Sequence, residues 1–453
     1  GFMSMQQGGQ QDFFVWLASR KMPTEWRERE DLAWWTSALA RTCEREMQEL
    51  AVENASIQEQ LNAFASQWQA NTPVYSTTQE IDNYYTRLGM LRVKSMACHF
   101  LYPAQTLIGG CTVDLYRNVL AVLIGLALKH LDLCNAYVRQ HPACTLRALL
   151  APPHTAAALI EFLSEMPGVE SAAVRHVVEA YSLSHENVSY HCSVAGTPAP
   201  PLLRFDEQDE RHFVWSLTGL LSEPFFFLAR ELKRRHPYEY HTASHLHEEV
   251  FRQDLYHLFS DKRFVSSTGS IELRGVQGDL TTDVDALIFD RKTGTLALFE
   301  LKSQDPFAYS RQERIRQRDY FYNAGKQVLA CMQWLNRNGA NALLARLDPK
   351  LVKRLKVQKT YIFVLGRYLA HFFDGPEFDR RAAWGTWPQV LRLVNGISSG
   401  VEEANPIQSL YNKLMKDALL TLFNPIPDVQ EIAIGERNVY VYPDFKTYKT
   451  RVG

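Results

Sequence analysis

Between residues 282 and 302 the chain reads TDVDALIFDRKTGTLALFELK, two apolar runs joined by the turn Asp290-Arg291-Lys292-Thr293-Gly294. A short polar turn closed by glycine between two such runs predicts a β-hairpin. Strand geometry then fixes directions, because successive side chains alternate between the two faces of a sheet. Asp283 and Asp285 are expected on one face, and Glu300 and Lys302 on one face of the partner strand. Carboxylates and an ammonium therefore gather at one edge of an otherwise apolar hairpin, which packing alone does not explain.

The surroundings give this hairpin a context. A helix is expected over 246–260, with strand-like pieces at 264–267, 270–273, 284–289 and 295–301. A long helix at about 311–336 and a strong strand at 360–365 follow. The order helix, strands, helix, strand predicts an α/β core with a hairpin at its centre.

The polar cluster suits one chemistry in particular. Hydrolysis of a phosphodiester needs a divalent cation to neutralise developing charge and to lower the pKa of an attacking water. Mg²⁺ prefers carboxylate oxygens and keeps several of its waters, so acidic residues on adjacent strands make a fitting partial cage. A lysine two residues beyond the glutamate points to the same side, where it can orient the water or stabilise phosphoryl charge.

Asp285, the run Ala286-Leu287-Ile288-Phe289, and then Glu300-Leu301-Lys302 resemble the signature of the PD-(D/E)XK nuclease superfamily. The resemblance covers about residues 245–370 and implies a restriction-endonuclease-like fold, a central mixed sheet flanked by helices. It implies a metal-dependent nuclease using Mg²⁺ or Mn²⁺, with Asp285 and Glu300 as metal ligands and Lys302 as the catalytic lysine. Glu248 on the preceding helix is its candidate further metal ligand, since Phe251, Leu255 and Leu258 mark the apolar face and place Glu248 nearer the core edge. Asp283, Glu249 and Gln327 are possible accessory residues. Val284 stands where the textual signature has proline, a departure the family tolerates. The bland alternative for the motif is a solvated hairpin decorated by a Glu/Lys pair, and a catalytically silent nuclease-like fold used for binding nucleic acid or protein is a further one.

Charge is distributed unevenly. The chain of 453 residues carries 49 Lys and Arg against 50 Asp and Glu, so it is no general polycation. Residues 1–230 hold 17 basic against 24 acidic residues, and 231–453 hold 32 against 26. A nucleic-acid partner, DNA in preference to RNA, is thus expected at the second half. Arg311, Arg314, Arg316 and Arg318 crowd the start of the long helix, interleaved with Tyr309, Tyr320, Phe321 and Tyr322. Lys350, Lys353, Arg354, Lys356 and Lys359 precede the next strand. Both runs are expected either as solvated faces or as a phosphate path beside the site.

The rest of the chain carries no such chemistry. Helical spacing and Leu, Ala, Glu and Arg content predict a helical N-terminal domain over 1–182, a scaffold or a surface for a protein partner or self-association. Gly196 and the prolines between 198 and 201 predict a linker and connecting helix over 183–240, leaving 241–453 as the nuclease-like domain and α+β as the class overall. His185, His191 and Cys192 lie close together there but lack a second pair at zinc-finger spacing. Gly396-Ile397-Ser398-Ser399-Gly400 fits a G-x-S-x-G string, yet Val401 to Pro406 is a poor helix to follow a nucleophile elbow. No GxxxxGK[ST] or GxGxxG occurs.

With 46% hydrophobic residues the chain has ample core material. Seven scattered cysteines without CxxC pairs suggest reduced thiols and, with no secretory pattern at the start, a cytoplasmic protein. The most apolar run, 119–128, falls short of the ~20 residues that a bilayer span needs, so it is expected as a buried helix and no membrane partner is expected.

Overall fold

The computed structural model describes residues 2–7, 10–15, 22–68, 75–150, 153–193, 197–207, 210–275, 280–304, 311–370, 379–397, 404–420, 430–434 and 437–441. The fold mixes helices and sheets, as an α+β chain does, and divides into two compact units. One comprises residues 33–250, and the other residues 1–32 together with 251–453.

The 33–250 unit is built around the helices Gln79–Ser95 and Val113–Gln140. They approach closely because glycines face the contact. A Cβ on Gly89 would lie 2.0 Å from the Ala121 carbonyl oxygen, and one on Gly125 would lie 2.5 Å from that of Tyr85. Thr112 caps the longer helix, its hydroxyl accepting the Leu115 N–H at 3.2 Å. Among the described residues this helix alone is long and apolar enough to cross a bilayer, and 67% of its most apolar window is buried inside the protein.

Residues 183–240, expected as linker and connecting helix, contribute core instead. Leu202–Glu207 and Glu210–Trp215 form a hairpin within a four-stranded sheet, completed by Ser182–Leu183 and His154–Thr155. Leu202, Phe213 and Trp215 pack with Phe225, Leu228 and Leu232 of the helix Pro224–Arg235 into the same buried cluster as Val119 and Leu123. His191 Nε2 meets Glu231 Oε2 at 2.9 Å, and Glu231 also takes the guanidinium groups of Arg234 and Arg235. The expected 1–182 domain also loses its first residues. Phe2–Gln7 and Gln10–Val15 are strands that join Gln430–Ile434 and Arg437–Val441 in one sheet, with Val439–Val441 parallel to Phe13–Val15.

The unit containing the motif opens with helix α1 (Leu246–Leu258), whose residues from Phe251 onward belong to it. There follow β1 (Phe264–Ser266), β2 (Ile271–Arg274), β3 (Leu280–Val284), β4 (Ala286–Asp290) and β5 (Thr295–Lys302). Helices α2 (Arg311–Asn338) and α3 (Ala340–Leu347) lead to β6 (Lys359–Gly366), β7 (Ala382–Thr386), α4 (Trp387–Ile397) and α5 (Pro406–Leu420). Five strands make one mixed sheet in the order β7-β6-β5-β4-β1, while β2 and β3 pair separately. β4 is antiparallel to β1 and β5, and β5, β6 and β7 run parallel.

The turn between β4 and β5 is tied down by its own aspartate. Buried Asp290 accepts from Nε and Nη2 of Arg263 at 2.6 Å each, from the Thr293 hydroxyl at 2.6 Å and from the Lys292 N–H at 2.9 Å. Burial opposes the charged carboxylate, but these donors outweigh it and hold the group below the usual carboxylate range. Gly294 adopts φ +67°, a conformation that favours glycine.

On one face of this sheet, Leu287 and Phe289 of β4 and Leu296 and Leu298 of β5 pack against a stripe of α2 formed by Phe321, Ala324, Val328, Cys331 and Trp334. On the other, Phe299 and Phe363 stack with ring centres 4.7 Å apart. The alternation that buries Leu296 and Leu298 under α2 turns Glu300 and Lys302 to the same side.

Candidate active site

Asp285 stands at a bend where the chain passes from β3 to β4. The β4–β5 ladder ends at Ala286 opposite Phe299, and one step on Asp285 faces Glu300. Asp285 Oδ2 accepts the Leu301 N–H at 2.7 Å, which fixes the carboxylate against the neighbouring strand. From α1, Arg252 Nε donates to the Asp285 main-chain oxygen at 2.5 Å and holds the bend from behind. The polar edge thus continues an apolar ladder, with Asp285 following Leu287 and Glu300 following Leu298.

Burial here is deep. Asp285, Glu300 and Lys302 are 6%, 4% and 6% exposed. The Lys302 ammonium donates to Glu300 Oε1 and lies 4.9 Å from the centre of the Tyr320 ring. The Lys302 carbonyl accepts the Arg367 N–H at 2.8 Å. The Arg367 guanidinium, bonded to Asp254 Oδ2 at 2.5 Å, lies against the rings of Phe251 and Trp387. The end of β5 is therefore gripped from α1, α2 and the residue after β6.

The electrostatics describe a site short of positive charge. Burial and the nearby Asp285 carboxylate push Glu300 up to about 8, with Asp283 adding to the repulsion and Lys302 only partly relieving it. Burial alone would lower Lys302, but Glu300, Tyr320 and Asp285 outweigh it and raise the ammonium to about 12. Cys331 of α2 lies below the cluster, its Sγ 3.9 Å from the Asp283 carbonyl, and burial and the same carboxylates push its thiol up to about 12.

The structure brings Asp285, Glu300 and Lys302 together and leaves Asp283 half-buried on β3, close enough for its charge to act on Glu300. Gln327 is half-buried on α2, seven residues after Tyr320 and four before Cys331, so it lies on the helix stripe between them. Glu248 and Glu249 occupy the first turn of α1, half-buried and exposed respectively, among residues that group with the other unit. Among the described residues no three His, Cys, Asp or Glu side chains stand close enough to hold an ion by themselves. An ion held by Asp285 and Glu300 would complete its shell with water and substrate oxygens, as suits Mg²⁺. The oxygen-only donor pair and the only partly relieved repulsion on Glu300 fit a hard divalent cation.

The two basic runs lie at different ends of the sheet. Arg316 is exposed and Arg318 half-buried beside Asp319 at 3.3 Å, within two turns of Tyr320 and so on the Lys302 side. Arg311 and Arg314 lie in the first turns of α2, with side chains outside the described residues, as are Tyr309 and Ser398. Lys353 and Arg354, expected beside the site, are not there. They precede β6, whose Lys359 pairs with Thr295 while Gly366 pairs with Lys302. The whole length of β5 separates them from the carboxylates, because β6 runs parallel to β5 and starts at its far end.

Sequence reasoning misses Arg252 and Arg367, and it reaches Tyr320 only as one of the aromatics interleaved with the arginines of α2. The signal for Arg367 was a lone charge directly after the apolar strand TYIFVLG.

No family model, no curated protein and no solved structure matches the chain.

Proposed function

We propose that the chain is a metal-dependent nuclease of the PD-(D/E)XK type that hydrolyses phosphodiester bonds of nucleic acid, DNA in preference to RNA, with Mg²⁺ or Mn²⁺. The observation that carries this reading is the convergence of buried Asp285, Glu300 and Lys302 at the end of β5. What supports the restriction-endonuclease-like core is the order α1, then β1, β4 and β5 antiparallel, then α2, then β6 parallel to β5. A role in phage defence, restriction or repair fits by analogy alone.

Asp285 and Glu300 would hold the ion. When bound, it supplies charge neutralisation at the phosphate and a more acidic water. The chain's own residues do the positioning. The Leu301 N–H fixes Asp285 Oδ2, Arg252 fixes the bend, and Tyr320 and the strand end fix Lys302. Lys302, kept fully protonated by the acids around it, is suited to holding a water or a phosphoryl oxygen by charge and hydrogen bonding.

The Lys302–Glu300 ion pair also favours a second reading, a silent nuclease-like fold in which the two groups merely neutralise each other. Purified protein incubated with plasmid, linear and single-stranded DNA and with RNA, in Mg²⁺, Mn²⁺ or EDTA, separates the two. The nuclease cuts with metal only, and the silent fold cuts nothing.

A further inference from the structure

The hairpin turn and the segment before β6 meet at the sheet end away from the carboxylates. The Gln358 N–H donates to the Gly294 carbonyl at 2.8 Å, and a Cβ on Gly294 would lie 3.0 Å from the Lys356 carbonyl. This contact joins the turn that carries Arg291 and Lys292 to the segment that carries Lys353, Arg354, Lys356 and Lys359. All six are exposed. None of them forms an ion pair with a described residue, and the turn's own carboxylate, Asp290, is buried and held by Arg263. Lys359 reaches only Gln408, at 3.2 Å. Two segments far apart in sequence thus bring to one end of the sheet six cations that have no ion-pair partner among the described residues.

We propose that this face is a second nucleic-acid-binding surface, which holds a stretch of the polymer away from the carboxylate site. Its chemistry favours phosphate over other polyanionic partners. Leu351, Val352, Leu355 and Val357 of the same segment pack inward against the core. The described residues of the face therefore offer no apolar anchor of the kind that protein interfaces and membrane-surface helices use. Long-stemmed cations without such an anchor suit sequence-independent contacts to a phosphate backbone. From Thr295 to Lys302 at a strand rise of about 3.3 Å, the face stands roughly 23 Å from the site. That is about seven base steps of duplex, so a long substrate can meet both places at once.

That the strand held here is also the strand cut at Asp285 and Glu300 rests on the function proposed above. That the face binds nucleic acid does not, so binding is measured in EDTA, where cleavage plays no part. The probe is a fluorescent 40-base-pair duplex titrated with full-length protein across a salt series. In the variant R291A/K292A/K353A/R354A/K356A, affinity should fall roughly tenfold or more near physiological salt, and the slope of log affinity against log salt should flatten by about one for each phosphate that is no longer neutralised. A K292R/K353R/K356R variant, which keeps the charge, should bind like wild type, and an unchanged melting temperature in both would exclude unfolding. Unchanged affinity and slope in the alanine variant would overturn the proposal. So would competition in which phosphatidylserine vesicles displace the duplex at equal charge and lose that ability in the same variant, since that outcome assigns the face to a membrane.

Discussion

The ammonium of Lys302 donates to Oε1 of Glu300, two residues earlier on the same strand, and both side chains are more than nine-tenths buried. Period-two geometry makes the pair neighbours, and burial makes their charges matter. The pair does not neutralise the site, because Asp285 stands opposite Glu300 and Asp283 lies near. An added cation is the simplest way to balance this arrangement, and the following expectations develop from it.

Asp285→Ala and Glu300→Gln should both abolish metal-dependent cleavage, yet they should differ in stability. Asp285→Ala leaves the buried Leu301 N–H without its acceptor and should cost about 1–3 kcal/mol. Glu300→Gln removes a carboxylate that burial and Asp285 disfavour but leaves an amide oxygen to accept from Lys302, so its melting temperature without metal should stay near that of wild type. Thermal melts in EDTA check this. A large loss from Glu300→Gln would mean that the negative charge of Glu300, and not its oxygen alone, is needed to hold Lys302.

Lys302→Ala should slow cleavage by about 10²–10³-fold, the usual loss for a positioned electrostatic group. Metal binding should survive, near wild type or tighter, because a positive charge beside the carboxylates is gone. Single-turnover rates at saturating metal, with calorimetric titration of Mn²⁺, read both quantities. Equal rates for wild type and variant would remove Lys302 from the chemistry.

The arginines at the start of α2 should act on binding. Replacing Arg314, Arg316 and Arg318 together by alanine is expected to weaken nucleic-acid affinity and flatten its salt dependence, because fewer neutralised phosphates release fewer counterions. A slope identical to that of wild type would make them an ordinary solvated face.

The motif hairpin was legible because its evidence is local: two apolar runs, a turn ending in glycine, and acids two residues apart. What sequence missed depends on distant chain. Arg367 reaches Lys302 only because β6 returns parallel to β5 after α2 and α3, a register that no short window contains. The same register carries Lys353 and Arg354 to the opposite end of the sheet. Residues 183–240 read as linker because prolines and acids outweighed the short alternation that buries Leu202, Phe213 and Trp215, and the exposed Leu203 and Phe205 blur that alternation. The strands at 2–15 find their partners at 430–441, beyond the reach of local pattern.

The 33–250 unit should lose stability in mild acid. His99 is buried against Phe226, its Nε2 meets Thr36 Oγ1 at 2.9 Å, and its Nδ1 has no hydrogen-bond partner. Burial pushes it down to about 4, and burial with the neighbouring His130 pushes His154 to about 4 as well. Between pH 6.5 and 4 the unfolded chain binds more protons than the folded one, so stability is full above 6.5 and falls as pH drops toward 4. His99 alone should account for about 2 kcal/mol by pH 5. Urea unfolding at pH 7 and pH 5 should show the loss, smaller in His99→Gln. Equal pH dependence in that variant would show that the histidine is already charged in the fold.

The nuclease reading meets its most direct test in one measurement: strand cleavage of plasmid, linear and single-stranded DNA and of RNA by wild type and Asp285→Asn, each in Mg²⁺, Mn²⁺ and EDTA. The account predicts cleavage by wild type with either metal, none in EDTA, and none by Asp285→Asn under any condition. Wild-type protein that cuts none of these substrates, or cleavage that persists in EDTA or in Asp285→Asn, would contradict it.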